Sequence, residues 1–340
     1  MGFTMWFDFW RARNGRGGIR GRLLLLAALG LIGSMLVAAP AAHAQATIDH
    51  MTYRTPRWVQ VFVNSPAMQR IVQVDVLLPS DTATPHPSLY VYDGNGSDVS
   101  EGQSTWTMRT DAVNFFADKP VNVVLAVGGG GTFYTDWERD DPGLGHIRFE
   151  TFFAQELPPL IDATFHGNGR NAAAGVSMGG MAAMALTFRN PSLYRAVAAY
   201  SGCMYTATFG QTVVRAAVAQ RGGNADNMWG TELDPQWDAH DPSLHAAGFA
   251  GKPVFLSVGS GIPRPDDIGF DPTWSWPGTA AEATTLETGS LTCTKTLDTQ
   301  LHLQGVPATV TYYPFGTHSW PYWQQPLHDS WPTLAQGLGI

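Results

Sequence analysis

Residues 171–189 constrain this chain more than any other stretch. Residues 171–176 form a short apolar run of the kind that becomes a strand buried on both faces, and 178–189 are small and apolar residues that read as a helix. Between them stands Gly175-Val176-Ser177-Met178-Gly179, a G-x-S-x-G string. A serine in that string sits on a sharp strand-to-helix turn, with its hydroxyl projecting from the sheet. Side chains two positions to either side would collide there, hence the glycines. Gly180 and Ala182 keep the start of the helix thin. A glycine-rich turn with an incidental serine would need neither the buried strand before it nor the helix after it. The segment therefore predicts an α/β-hydrolase fold with Ser177 as nucleophile.

The remaining pattern agrees with a mostly parallel central sheet flanked by helices. Strand-like runs occupy 59–63, 71–78, 88–92, 121–127, 194–200, 254–258 and 308–313, and helical spacing covers 149–165. Residues 204–250 are poor in strand signal and rich in Trp, Gly and Asp, which suggests an insertion over the sheet. Residues 45–57 look like a leader into the domain. Only 14% of residues are charged, against roughly 25% in an average soluble domain, and 12 Trp with 17 Phe argue against disorder. A formal charge of −8 argues against nucleic acid as a partner.

The first 44 residues read as a secretory signal peptide. Five arginines precede an apolar run at 23–39, and Ala42-x-Ala44 offers small residues for cleavage before Gln45. An uncleaved anchor is the alternative, since the run is near the lower length for a span. The expected domain is then 45–340, exported or held in the cell envelope. The chain has two cysteines, Cys203 and Cys293, and in an oxidising compartment a disulfide is the economical reading; two buried thiols are the alternative. No His/Cys grouping suggests a metal, and the chemistry below needs no cofactor.

A serine hydroxyl is a weak nucleophile and needs a base in contact, oriented in turn by a carboxylate. In this fold the order along the chain is Ser, acid, His. His318 follows the last strand and is favoured over His302, in a helical stretch, and His328, near the C-terminus. Asp266 and Asp267, after the penultimate strand, compete with Glu287 for the acid. Two backbone N–H groups must face the developing oxyanion. Met178 should supply one and Asn95, in the turn Asp93-Gly94-Asn95-Gly96, the other.

At these residues the chain resembles the mycolyltransferases of the antigen 85 type. Tyr90-Val91-Tyr92-Asp93-Gly94, Val127-Gly128-Gly129 with Phe133-Tyr134-x-Asp136-Trp137, and Glu150-Thr151-Phe152 with Glu156-Leu157-Pro158 are similar to family segments in the same order. So are Asp226-Asn227-Met228-Trp229-Gly230, Asp234-Pro235-x-Trp237, Asp241-Pro242 and Gly316-Thr317-His318-Ser319-Trp320-x-Tyr322-Trp323. The resemblance implies Glu287, 31 residues before His318, as the acid. It implies a sugar contact for Asp93, further substrate contacts at Trp106, Ser319 and Trp320, and trehalose mycolates with other glycolipid or sugar acceptors as partners. A Cys203–Cys293 bridge would then help fix Glu287. Gly96 stands where the family carries an Arg, and no fibronectin-binding stretch is recognisable at 112–120. A carboxylesterase that hands the acyl group to water uses the same triad, and a silent envelope sugar-binding protein would not need it.

Overall fold

The computed structural model describes residues 45–207, 209–264 and 277–340. The expected signal peptide and the acid candidates Asp266 and Asp267 lie outside them. The strands are β1 (Thr47–Thr55), β2 (Trp58–Ser65), β3 (Arg70–Leu77), β4 (His86–Tyr92), β5 (Asn122–Ala126), β6 (Gly167–Val176), β7 (Tyr194–Tyr200), β8 (Val254–Val258) and β9 (Thr309–Tyr312). The helices are α1 (Thr105–Arg109), α2 (Ala112–Phe115), α3 (Phe149–Thr151), α4 (Leu157–Thr164), α5 (Met178–Arg189), α6 (Phe209–Gln220), α7 (Ala225–Trp229), α8 (Gln236–Ala239), α9 (Pro277–Leu303) and α10 (Gln324–Leu338).

Among the described residues the strands form one nine-stranded sheet in the order β1-β2-β3-β5-β4-β6-β7-β8-β9. The β1–β2, β2–β3 and β3–β5 pairs are antiparallel, and every pair from β5–β4 to β8–β9 is parallel. Two apolar layers cover the two faces, as alternation along each strand requires. In β4, Tyr90 and Tyr92 enter one layer and Leu89 and Val91 the other; in β6, Ala173 enters the first and Ala172, Ala174 and Val176 the second. This is the α/β-hydrolase architecture expected from the serine motif. No helix among the described residues is long and apolar enough to cross a membrane.

Three local features differ from the sequence expectation. Residues 47–55, read as a leader, are an edge strand. Its side chains are nearly all exposed, so it carries no apolar alternation to announce it, and the backbone ladder with β2 holds it. The helical stretch 149–165 contains a π-helical turn at Phe152–Glu156. Pro158 and Pro159 have no N–H to give the Ala154 and Gln155 carbonyls, which disfavours an unbroken α ladder there. The third is α9, 27 residues long and rich in threonine. Thr285, Thr288, Thr292, Thr296 and Thr299 each return a hydroxyl bond to the carbonyl four residues back, so these β-branched residues sit in the helix with their hydroxyls satisfied. Residues 204–250 contain α6, α7, α8 and a 3-10 turn at Ala246–Phe249, with no strand among the described residues.

Candidate active site

Ser177 occupies the junction of β6 and α5 with φ 55° and ψ −121°. For a residue with a side chain such a backbone costs about 1–3 kcal/mol and persists only where its surroundings impose it. They do so here. The Ser177 N–H donates to Tyr200 O at 2.8 Å. A Cβ on Gly175 would lie 2.2 Å from Gly179 O, and one on Gly179 would lie 2.4 Å from Asp93 O. Both glycines of the motif are thus steric requirements of the turn.

On one side of Ser177 stands His318, in the loop after β9. Its backbone N–H donates to Ala283 O at 3.0 Å, one turn of α9 before Glu287. Its ring then spans two partners: Nε2 is 2.8 Å from Ser177 Oγ and Nδ1 is 2.8 Å from Glu287 Oε2. For a ring carrying one proton these partners assign the tautomer, with Nδ1–H donating to the carboxylate and Nε2 accepting from the serine hydroxyl. Glu287 is 1% exposed. Its Oε1 accepts from Ser201 Oγ–H at 2.7 Å and from Gly259 N–H at 2.6 Å, and Ser201 Oγ accepts from Trp323 Nε1–H at 3.0 Å. Ser201 also has a positive φ, 50°. Cys203, two residues on, is bonded to Cys293 of α9, tying the β7 loop to the helix that carries Glu287.

Of the acid candidates, Glu287 is the one among the described residues, and its carboxylate meets the imidazole. His302 is exposed on α9, and His328 lies on α10 with Nε2 2.8 Å from Asp111 Oδ1 and its ring stacked on Phe115. Sequence reasoning missed Ser201 and the backbone of Gly259. A serine after a strand carries no signal of its own, and a backbone donor carries none at all.

On the other side of Ser177 the chain turns at Asp93-Gly94-Asn95. The Asn95 side chain is consumed in holding this turn: Oδ1 accepts from Gly131 N–H at 2.9 Å, and Nδ2 donates to Gln220 Oε1 at 2.9 Å and Ala217 O at 3.2 Å. Neither the Asn95 nor the Met178 backbone N–H has a protein acceptor among the described residues, so both remain as donors. The sugar contact expected of Asp93 does not fit its placement. Its carboxylate is 0% exposed, with Oδ1 accepting from Ser104 Oγ–H and Oδ2 from Thr105 N–H. Burial pushes its pKa up to about 7. Trp106 is likewise enclosed, its Nε1–H on Tyr92 O at 3.2 Å and its ring edge-on to Trp320. The physical reason is the start of α1: Ser104 and Thr105 close over Asp93, and Trp106 belongs to α1 itself with its ring buried in the core. Ser319 and Trp320 are half-buried and follow His318 directly. A side chain at Gly96 would meet open space, so packing does not demand glycine there.

A cavity of about 370 Å³ is walled by Glu150, Arg189, Trp229 and His240, among others. Arg189 ends α5, roughly 18 Å along the helix from Ser177 at 1.5 Å per residue, so this cavity is not the serine cleft. Among the described residues no three His, Cys, Asp or Glu side chains gather as metal ligands would.

The esterase family model matches residues 65–334. Diacylglycerol acyltransferase/mycolyltransferase Ag85C of Mycobacterium leprae (strain TN) is 27% identical over 325 residues, covering 94% of this chain and 90% of the relative. The protein of the same description from Mycobacterium avium is 30% identical over 283 residues, covering 81% of this chain and 76% of the relative. The crystal structure of Mycobacterium tuberculosis MPT51 aligns with a TM-score of 0.66 at 25% identity, over 81% of this chain and 96% of that one. An S-formylglutathione hydrolase from Agrobacterium tumefaciens, 16% identical with a TM-score of 0.59 over 86% of this chain and 100% of that one, shares the fold. Motif, fold and these relatives together make the chain a member of the antigen 85-type esterase and mycolyltransferase family of α/β-hydrolases, serine enzymes that work through an acyl-enzyme.

Proposed function

We propose that this protein moves a mycoloyl group from trehalose monomycolate to a second sugar hydroxyl, on trehalose monomycolate or on cell-wall arabinogalactan. The observation that carries the reading is the chain Ser177–His318–Glu287, hydrogen-bonded in series at 2.8 and 2.8 Å behind an elbow serine. His318 Nε2 takes the Ser177 proton as Oγ attacks the ester carbonyl. Glu287 keeps the imidazole in the productive tautomer and stabilises the imidazolium. The N–H groups of Asn95 and Met178 hold the oxyanion of the tetrahedral intermediate. Its collapse expels trehalose, protonated by His318, and leaves the acyl group on Ser177. An acceptor hydroxyl then gives its proton to His318 and attacks the same carbonyl, releasing Ser177. Ser319 and Trp320, directly after the base and partly open, are the side chains proposed to meet the sugar. Export after cleavage at Ala44–Gln45 fits a substrate in the envelope.

The test gives purified protein and its Ser177→Ala variant trehalose monomycolate, with and without added trehalose, and identifies products by mass spectrometry. Trehalose dimycolate from the wild type alone is expected. Free mycolic acid in an amount that added trehalose does not reduce would make the protein a hydrolase and sink the transfer reading.

A further inference from the structure

The position of Asp93 poses a problem that the reaction steps do not use. A carboxylate enclosed at 0% exposure is expensive unless it is paired with a cation or fully hydrogen-bonded. Among the described residues no cation contacts Asp93. Its partners are neutral donors: Ser104 Oγ–H at 3.1 Å and Thr105 N–H at 2.9 Å. A second buried carboxylate, Asp75 of β3, grips the same corner, its Oδ2 accepting from Ser104 N–H at 3.0 Å. Ser104 is therefore held by its hydroxyl to Asp93 and by its backbone to Asp75. On the other flank lies Tyr134, fully buried, whose hydroxyl donates to Gly128 O at 2.7 Å; burial first, and then the nearby Asp93, hold that phenol in its neutral form.

What this corner fixes is the turn. Asp93 directly follows β4 and is followed at once by Gly94, whose Cβ position lies 3.7 Å from Ser177 Cβ, and by Asn95. Asp93 O also lies 2.4 Å from where a Gly179 Cβ would stand. Asp93 is thus built against the nucleophile elbow through its backbone while its side chain is tied down to the start of α1. Each oxygen already accepts from a protein donor, and at 0% exposure the carboxylate is closed to a ligand. It has the geometry of a strut.

We propose that Asp93 is a positioning residue for the oxyanion hole, anchoring the Gly94–Asn95 turn to Ser104 and Thr105 so that the Asn95 N–H is aimed before the ester arrives, and that it does not contact sugar. This rests on the reading that Asn95 serves the oxyanion. It also makes Ser104 part of the same device, through its bonds to Asp93 and Asp75. A preorganised donor is worth more than one that must be swung into place, so loosening the turn raises the barrier without changing how the ground-state ester binds.

The experiment uses an ester that contains no sugar. Steady-state hydrolysis of p-nitrophenyl butyrate is measured for wild type, Asp93→Ala, Asp93→Asn and Ser104→Ala, beside trehalose monomycolate turnover. Expected is a fall in kcat of about 10–100-fold for Asp93→Ala on both substrates, with KM changed by about twofold or less, and smaller falls in the same sense for Asp93→Asn and Ser104→Ala. If Asp93→Ala does not fold, the other two decide, because each keeps most of the corner. An unchanged kcat on the butyrate ester, with KM raised for trehalose monomycolate alone, would overturn the proposal and make Asp93 a sugar ligand. Failure of the serine mechanism that an oxyanion presupposes is separate: Ser177→Ala would then keep activity on the butyrate ester.

Discussion

Ser177 stands between two buried carboxylates that are held in opposite ways. Glu287, on the histidine side, shares a hydrogen bond with the imidazole proposed to take up the serine proton, and is braced by Ser201 and Gly259. Asp93, on the oxyanion side, is met by donors that never change charge, from a serine and a backbone amide. The histidine side draws its parts from the ends of β7, β8 and β9 and from α9, and a disulfide locks two of those segments together. The Asp93 contacts on the oxyanion side lie within the stretch from β4 to α1, while Asp75, Gly131, Ala217 and Gln220 brace that stretch from outside. The lesson is that burial of an acid beside a nucleophile does not by itself give its role. What each carboxylate touches separates the two proposed roles: Glu287 meets the imidazole of His318, and Asp93 meets Ser104 Oγ and the backbone N–H of Thr105.

Variants on the two sides should therefore fail by different amounts. The largest effect belongs to the histidine side. His318→Ala should lower kcat on any ester by about 10⁴–10⁶-fold, and Glu287→Gln by about 10³–10⁴-fold, since the amide stabilises the wrong tautomer without disturbing the packing. Stopped-flow or steady-state assays on p-nitrophenyl butyrate would check both. A Glu287→Gln enzyme within tenfold of wild type would break the comparison. Next comes the brace behind Glu287. Ser201→Ala removes one of the two Oε1 donors, leaving Gly259 N–H, and should cost about tenfold in kcat with little change in KM. A larger effect on KM than on kcat would place Ser201 with the substrate instead.

Two smaller effects are on stability. The Cys203–Cys293 bond closes a separation of 90 residues, so its loss should cost about 2–4 kcal/mol. Denaturant melts of the Cys203→Ser/Cys293→Ser protein would measure this; no change would mean the helix of Glu287 is held by packing alone. The last effect concerns Asp93 and pH. Its folded pKa, about 7, lies above its ordinary value of 3.8, so between those values the folded state holds a proton that the unfolded state has released. The Asp93 contribution to stability is thus present below about pH 4 and is lost as pH rises through about 7. Asp93→Asn should gain on the wild type across that window, by at most about 4 kcal/mol, and by nothing further above it. Urea midpoints at pH 5 and pH 8 would show it, and a wild-type advantage that grows with pH would reverse the sign.

How much of this was legible beforehand follows the same division. The elbow was readable because its demands are local: two glycines that sterics require, a buried strand before and a small-residue helix after. The parallel sheet was readable from its apolar runs. Edge strand β1 was not, because an exposed edge strand needs no apolar alternation. His318 could be placed by its position after β9, but the acid stayed open among Asp266, Asp267 and Glu287 on the residues alone. Its choice depends on a tertiary contact between α9 and the histidine loop, fixed by the His318 N–H on Ala283 O. Asp93 was singled out through resemblance and assigned a sugar. Only the fold of α1 across it shows that its oxygens are occupied, and no spacing in the sequence states that. The Ser201–Trp323 brace was equally invisible, since its two residues lie 122 positions apart.

The most direct measurement of the whole scheme is intact-mass spectrometry of the protein mixed with trehalose monomycolate without added acceptor, followed by peptide mapping. A mass gain equal to one mycoloyl group, located on Ser177, absent from Ser177→Ala and discharged on adding trehalose, is the predicted result. Turnover that proceeds in Ser177→Ala, or an acyl group mapped to any other residue, would contradict it.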